Sequence, residues 1–405
     1  MTIRQFSTTN KNHPTTPKWR FEQQPPILNR KCRVVFAGPH FQAGLSYIRE
    51  MIRTSDTITT TTTTPHPHLE LLSAPTTSQL LEYAPTMDVA IPFMEAFDDQ
   101  FLTQATNLRL IMQYGVGLER VDVRTATTLG IAVSNIPADG GSGNAPATAE
   151  HALWLAMSLL RYHHVNPTPT TTNHNNNHNG DDDDDSPSLN LQERFQQRIL
   201  GGLPVPRTLY QKRVTVVGYG AVGSLLVEYL VQLGARVTVI RKQPWEKEFV
   251  HAGHHKCKFQ TCHTLEDALP HTDVLFLACT MTLETFHLLN AKTLGLLPLG
   301  ALVVNVGRGP LVEYASMVEA LTSQHIGGYA SDVGIGHDSK VSEPWDPSDP
   351  LSQLPNVIFT PHVGGYCDYS YSTMGQSVME AICAVQQGKP PPVWVNQEVE
   401  PEQGT

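Results

Sequence analysis

No apolar run in this 405-residue chain approaches the ~20 residues of a membrane-spanning helix, so the sequence reads as that of a soluble protein. Cysteine is scarce: the six residues are scattered and mostly sit inside apolar stretches, as Cys279 does after Leu275-Phe276-Leu277-Ala278. That pattern excludes a disulfide framework and suits free thiols in a reducing compartment. Cys257 and Cys262 lie close to His251 and His263, but no C-x-x-C pair is present, and no metal site is expected. A broad basic patch is also missing. The net charge is −10, and Asp181 to Asp185 supply half of it, so nothing suggests nucleic acid as a partner. Acid is absent from Met1 to Phe21, which carries Arg4, Lys11, Lys18 and Arg20 among many Ser and Thr. Organelle transit peptides have that composition, and so do disordered tails. Residues 1–30 are therefore expected to be a disordered or targeting tail. The protein is placed in the cytoplasm, or in a mitochondrion or plastid if the tail is a transit peptide.

Two further segments are poor in apolar residues: the Thr/Pro/His run 59–68, and residues 166–190, rich in Asn, Asp, Thr and His. Neither offers apolar surface to offset the entropy of ordering, and 166–190 is expected to be a disordered insertion. Elsewhere short apolar runs alternate with helical patterns. In the first part the candidate strands are Arg33 to Ala37, Leu69 to Ser73, Asp88 to Ile91, Leu108 to Gln113 and Ile131 to Val133. Helical stretches at Gly44 to Arg53 and Glu95 to Ala105 separate several of them. From Arg213 onward the pattern strengthens, with candidate strands Val214 to Val217, Arg236 to Ile240, Val274 to Leu277, Ala301 to Val306, Gly328 to Asp332 and Val357 to Phe359. Continuous apolar runs mark buried parallel strands. The fold class is therefore α/β, with two Rossmann-like or flavodoxin-like units, the second a doubly wound parallel sheet of six strands. A final helix is expected over Ser372 to Gln387.

Gly218-Tyr219-Gly220-Ala221-Val222-Gly223 matches G-x-G-x-x-G directly after a strand and opens an apolar-periodic helix, the context that a dinucleotide site requires. Gly218 permits the tight turn, Gly220 lets the backbone approach a pyrophosphate, and Gly223 lets the helix pack on the strand. The helix N-terminus then offers free N–H groups to the phosphates. NAD sites usually carry an acid at the end of the second strand, whereas this chain has Arg241-Lys242. Two cations suit a 2′-phosphate, so NADP(H) is favoured over NAD(H).

Ligands of open α/β sheets bind beyond the carboxyl ends of the strands. Arg308 lies past one such end and His362 past another, with Glu343-Pro344 in the loop between. A guanidinium can grip a carboxylate with two bonds. An imidazole can exchange a proton near neutral pH, and a neighbouring carboxylate raises its pKa and fixes its tautomer. With a nicotinamide, this set could oxidise a 2-hydroxy acid or reduce a 2-keto acid.

Gly115-Val116-Gly117-Leu118, Ala149 to Leu153, Gly218 to Gly223, Asn305 to Val312, Ala330 to Val333 with Glu343-Pro344, and Thr360 to Gly365 occur in that order. In this series the chain resembles the D-isomer-specific 2-hydroxyacid dehydrogenases, a family that includes phosphoglycerate dehydrogenases and glyoxylate/hydroxypyruvate reductases. The resemblance runs from about Leu108 to Asn396 and more weakly back to Arg33. It implies that His362 is the general acid/base, Glu343 its carboxylate partner and Arg308 the substrate-binding arginine. It assigns the substrate carboxylate to the Val116-Gly117 backbone and places Asn144 in the lining of the site. Asp332 is expected to contact the nicotinamide carboxamide, and Cys279-Thr280 to face the cofactor. The family fold inserts the nucleotide domain (141–365, carrying the 166–190 insertion) into a substrate domain made of 31–140 and 366–398. Family members are usually homodimers. The loop from Gly334 to Ser342 is longer than usual, so Glu343 is aligned only through its Glu-Pro pair.

The expected function is an NADPH-dependent reductase of small 2-keto acids: glyoxylate, hydroxypyruvate or phosphohydroxypyruvate. The alternative is a cofactor-sensing scaffold of the co-repressor type, since such relatives keep the same three residues.

Overall fold

The computed structural model describes residues 18–27, 30–38, 42–55, 69–92, 95–137, 143–165, 206–242, 259–334 and 349–397. The chain forms two compact units, Met1–Ala138 with Asp368–Thr405, and Asp139–Cys367.

The first unit begins with a short helix α1 (Arg20–Gln23). Strand β1 (Cys32–Ala37), helix α2 (Gln42–Ser55), β2 (Leu69–Ala74), α3 (Thr77–Tyr83), β3 (Val89–Pro92), α4 (Asp99–Gln104), β4 (Leu110–Met112), α5 (Val123–Thr128) and β5 (Ala132–Ser134) follow. The five strands are parallel in the order β2-β1-β3-β4-β5. Alternation along β1 explains why both sheet faces are covered. Val34 and Phe36 point to a core with Leu45 and Ile48 of α2. Val35 and Ala37 point to another, with Leu80, Phe101, Leu102 and Ala126. The first core is completed from the far end of the chain by Met374, Val378, Ile382 and Val385.

The expected tail over 1–30 needs correction for its described part. Phe21 is fully buried and Trp19 nearly so. Both pack edge-on against Trp394, with ring centroids 5.5 and 4.7 Å away. Arg20 donates from Nη1 to the carbonyls of Ala105 and Leu108 at 2.6 and 3.1 Å, and its backbone N–H to Gly130. Aromatic burial and carbonyl pairing thus tie this segment to the first unit. Residues 1–17, and with them most of the transit-peptide reading, lie outside the described residues, as does the 166–190 insertion. The helical pattern from Glu95 is shorter than expected, because Asp98 caps the helix by accepting from the Phe101 N–H. Phe97 instead forms a bridge to Val121.

The second unit consists of α6 (Asn144–Val165), β6 (Arg213–Val217), α7 (Ala221–Gln232), β7 (Arg236–Ile240), β8 (Gln260–Cys262), α8 (Leu265–Ala268), β9 (Val274–Leu277), α9 (Ala291–Leu294), β10 (Ala301–Asn305), α10 (Tyr314–Thr322), β11 (Ile326–Ser331) and β12 (Val357–Phe359). Its parallel sheet has the order β8-β7-β6-β9-β10-β11-β12. That is seven strands rather than six. The extra one, β8, is a three-residue edge strand of sequence Gln-Thr-Cys, too polar to show as an apolar run. Helices α6 and α7 cover one face through Leu155, Leu159, Leu226 and Leu230; Leu294, Met317 and Leu321 cover the other. After Cys367, α11 (Asp368–Gln386) returns to the first unit, starting four residues before its expected boundary. Among the described residues no helix is long and apolar enough to cross a membrane.

Phe21→Ala separates a tail from a core residue. Removing a fully buried aromatic should cost about 3 kcal/mol or more of unfolding free energy. A urea midpoint equal to wild type would mean that the segment is a tail after all.

Candidate active site

The strand order reverses between β6 and β9, and the crevice beyond their carboxyl ends is where such sheets take ligands. The glycine loop lies there. A Cβ on Gly218 (φ +101°) would stand 2.7 Å from the Ala278 carbonyl oxygen and 2.8 Å from the Cys279 Cα. One on Gly223 would fall 2.1 Å from the Gly218 carbonyl oxygen. Neither neighbour can yield, because both are backbone. At Gly220 a Cβ would meet nothing within 4 Å. Two glycines therefore serve the packing of strand, loop and helix, and the middle one faces open space. Gly220 is also the N-cap of α7 and provides no side-chain cap, so Tyr219, Ala221 and Val222 surround an uncapped helix start. The arrangement fits a pyrophosphate on this helix end.

Around the loop, the thiol of Cys279 is pushed up to about 11 by burial and stays protonated at neutral pH. Its carbonyl packs under Gly307, where a Cβ would come within 2.7 Å of it. Thr280 is exposed, and its carbonyl accepts from the Thr285 hydroxyl at 2.9 Å. Arg241 and Lys242 directly follow β7. Lys242 Nζ donates to Glu284 at 2.5 Å in a largely exposed ion pair.

Three neighbouring strands carry the remaining groups. Arg308 follows β10, Asp332 follows β11 and His362 follows β12. Strand spacing separates the outer two strands by roughly 10 Å. The Arg308 turn is shaped by Asn305, a fully buried side chain. Its Oδ1 accepts from the Gly307 N–H at 3.0 Å, and its Nδ2 donates to the Arg308 carbonyl at 2.9 Å. The guanidinium folds back to the Gly307 carbonyl at 2.8 Å.

Asp332 is 2% exposed, and its carboxylate organises the loop that bears His362. Oδ1 accepts from the Thr360 hydroxyl at 2.6 Å and the Val363 N–H at 2.9 Å; Oδ2 accepts from the Gly364 N–H at 2.8 Å. Burial raises its pKa, but His151, Thr360 and Gly364 outweigh burial and leave it below the ordinary carboxylate range. Oδ2 takes a single donor and so keeps a lone pair for the nicotinamide carboxamide that Asp332 was expected to contact. Between those anchors His362 is exposed and adopts a left-handed backbone, φ +54°. Such a conformation costs on the order of 1 kcal/mol and persists only where the surroundings impose it.

His151, on α6, completes the group. Its Nε2 lies 2.9 Å from the Thr360 Oγ1 and 3.4 Å from Asp332 Oδ1. A Cβ on Gly364 would be 2.6 Å from Asp332 Oδ2 and 3.0 Å from the His151 ring, so only glycine fits. Asn144 starts the same helix and stands beside Gly365, whose Cβ would be 3.1 Å from its own. Sequence reasoning gave no role to Asn305, Thr360 or His151, although all three lie in the motifs quoted above.

Val116 and Gly117 belong to the first unit, just after β4. The carbonyls of Gly115 and Val116 there accept from the Ile136 N–H and the Asn135 amide at 3.0 and 2.8 Å. Glu343 lies outside the described residues. Among the described residues no group of His, Cys, Asp and Glu could hold a metal ion, and five cysteines are free thiols.

Residues 192–364 match the family model of the D-isomer specific 2-hydroxyacid dehydrogenase NAD binding domain. A glyoxylate reductase of Aeropyrum pernix is 29% identical over 329 residues, 80% of this chain and 88% of that protein. The D-3-phosphoglycerate dehydrogenase of Bacillus subtilis is 26% identical over 292 residues, 72% of this chain and 48% of its own length. In fold the chain is similar to D-lactate dehydrogenase of Escherichia coli, with a TM-score of 0.66 at 20% identity, covering 90% of this chain and 99% of that one. With the glycine cradle and the strand-end groups in place, residues 192–364 match as an NAD binding domain of the D-isomer specific 2-hydroxyacid dehydrogenases, and about four-fifths of the chain is similar to glyoxylate reductases.

Proposed function

We propose that the protein is an NADPH-dependent reductase of small 2-keto acids, working reversibly. The observation that carries this reading is His362, held in a left-handed conformation at the end of β12 by a buried carboxylate, two strands from Arg308. A bound nicotinamide supplies the hydride that the keto carbon accepts. His362 donates the proton that the keto oxygen needs, giving the hydroxy acid, and takes it back in the reverse direction. Arg308 pairs with the substrate carboxylate. Val116, Gly117, Asn144 and Glu343 keep the roles that the resemblance gives them.

Support for the phosphorylated cofactor comes from Arg241 and Lys242, two cations directly after β7 at the positions where NAD sites usually carry an acid. The Lys242–Glu284 pair is exposed and worth little, so a 2′-phosphate would compete with Glu284 successfully. The relatives named glyoxylate reductase support a short substrate. Hydroxypyruvate and phosphohydroxypyruvate share the same keto-carboxylate end and belong to the same range. A homodimer is part of the proposal, and the exposed Trp154 and Met157 on α6 offer apolar surface for it.

His362→Ala should lower kcat by about 10²-fold or more while the Kd of NADPH stays within a factor of two. A fully active variant would overturn the assignment. Absence of turnover by wild type on every 2-keto acid, with either cofactor, would favour the scaffold reading. Replacing both Arg241 and Lys242 by Ala should raise the KM of NADPH about 10-fold or more and leave that of NADH nearly unchanged. Equal shifts for the two cofactors would mean that the pair is only solvated charge.

A further inference from the structure

The structure assigns His151 a part in this site: we infer that it is a positioning residue which, through Thr360, holds the Asp332 carboxylate and hence the His362 loop. The inference rests on the keto-acid reductase reading for its kinetic consequence, but its geometry stands apart from that reading.

Hydrogen-bond direction decides the arrangement. Asp332 is ionised and can only accept, so the short 2.6 Å contact commits the Thr360 hydroxyl proton to Oδ1. Thr360 Oγ1 must then accept from His151, which fixes the imidazole with its proton on Nε2, 2.9 Å away. At 3.4 Å, the distance from the same nitrogen to Asp332 Oδ1 is too long for a strong bond but adds electrostatic attraction. The donor chain runs His151 Nε2–H to Thr360 to Asp332, and the carboxylate accepts in addition from the Val363 and Gly364 N–H groups that flank His362 on its C-terminal side. Bonds in such a chain polarise one another, so loss of the first donor weakens the last.

The ring itself is fixed on both sides. Gly364 packs against one part of it, where a Cβ would come within 3.0 Å of Cδ2. Trp154, one turn along α6, stacks at a centroid distance of 5.3 Å and an interplanar angle of 28°. A histidine serving only to fill the α6 packing would not need its Nε2 aimed at a hydroxyl already bound to a buried acid. The outcome is a left-handed His362 whose loop is tied to α6 as well as to β11.

The test uses the full-length protein and three variants. His151→Phe keeps a ring between Trp154 and Gly364 but has no donor; His151→Gln restores one; Thr360→Val removes the relay. Amide hydrogen exchange at Val363 and Gly364 should speed up about 10-fold or more in His151→Phe and Thr360→Val, with the α7 amides unchanged, and return close to wild type in His151→Gln. The two changes combined should add little to either alone. In turnover, kcat should fall about 10-fold or more in His151→Phe while the KM of NADPH is retained. Unchanged exchange at Val363 and Gly364 would overturn the inference whatever the kinetics. Faster exchange beside a wild type inert on every keto acid would uphold the positioning role and remove the reductase reading. Should His151→Phe fail to fold, Thr360→Val against His151→Gln decides the same point.

Discussion

The buried carboxylate of Asp332 is the contact on which the candidate site depends. It sits at the end of β11 between the strands that carry Arg308 and His362, and it receives one hydroxyl and two backbone N–H groups from a single loop. An unpaired carboxylate at that depth would be costly, so the loop and the acid stabilise each other. The left-handed backbone of His362 follows from that clamp, because the residues after it must deliver their N–H groups to both carboxylate oxygens. Gly364 follows as well, since a side chain there would displace either the carboxylate or the ring of His151.

A similar economy governs the cofactor end of the sheet. Gly218 and Gly223 are fixed by contacts with backbone, Gly307 by the Cys279 carbonyl, and only Gly220 opens outward. The loops after β6, β9 and β10 are thus packed against one another at the carboxyl end of the sheet, with the glycine cradle as their exposed surface. Asn305 links this packing to Arg308 by stapling the turn from Gly307 to Arg308. The glycine cradle and the Arg308 turn are neighbouring parts of one packed rim.

Much of this was legible in the sequence. The glycine loop could be read because steric necessity restricts Gly218 and Gly223 to one residue type, and the buried strands because parallel strands covered on both faces are continuous apolar runs. Other features depend on partners that sequence order hides. Trp19 and Phe21 look like part of a basic tail until Trp394 is seen beside them. Strand β8 is held by its pairing with β7 rather than by apolar content. The task of Asp332 depends on the register that sets β11 against β12, and His151 finds Thr360 across 209 positions of chain. Glu343 shows the opposite case: its motif can be read, and its place lies outside the described residues.

Two tasks can be set for Asp332, contact with the nicotinamide and control of the His362 loop, and the substitution Asp332→Asn separates them. An amide keeps one acceptor oxygen but replaces the other with a donor that faces a backbone N–H. The account predicts that kcat for 2-keto acid reduction falls by about 10²-fold while the Kd of NADPH, measured by fluorescence titration, stays within a factor of two. Weakened NADPH binding with kcat intact would contradict it, and would return Asp332 to the cofactor.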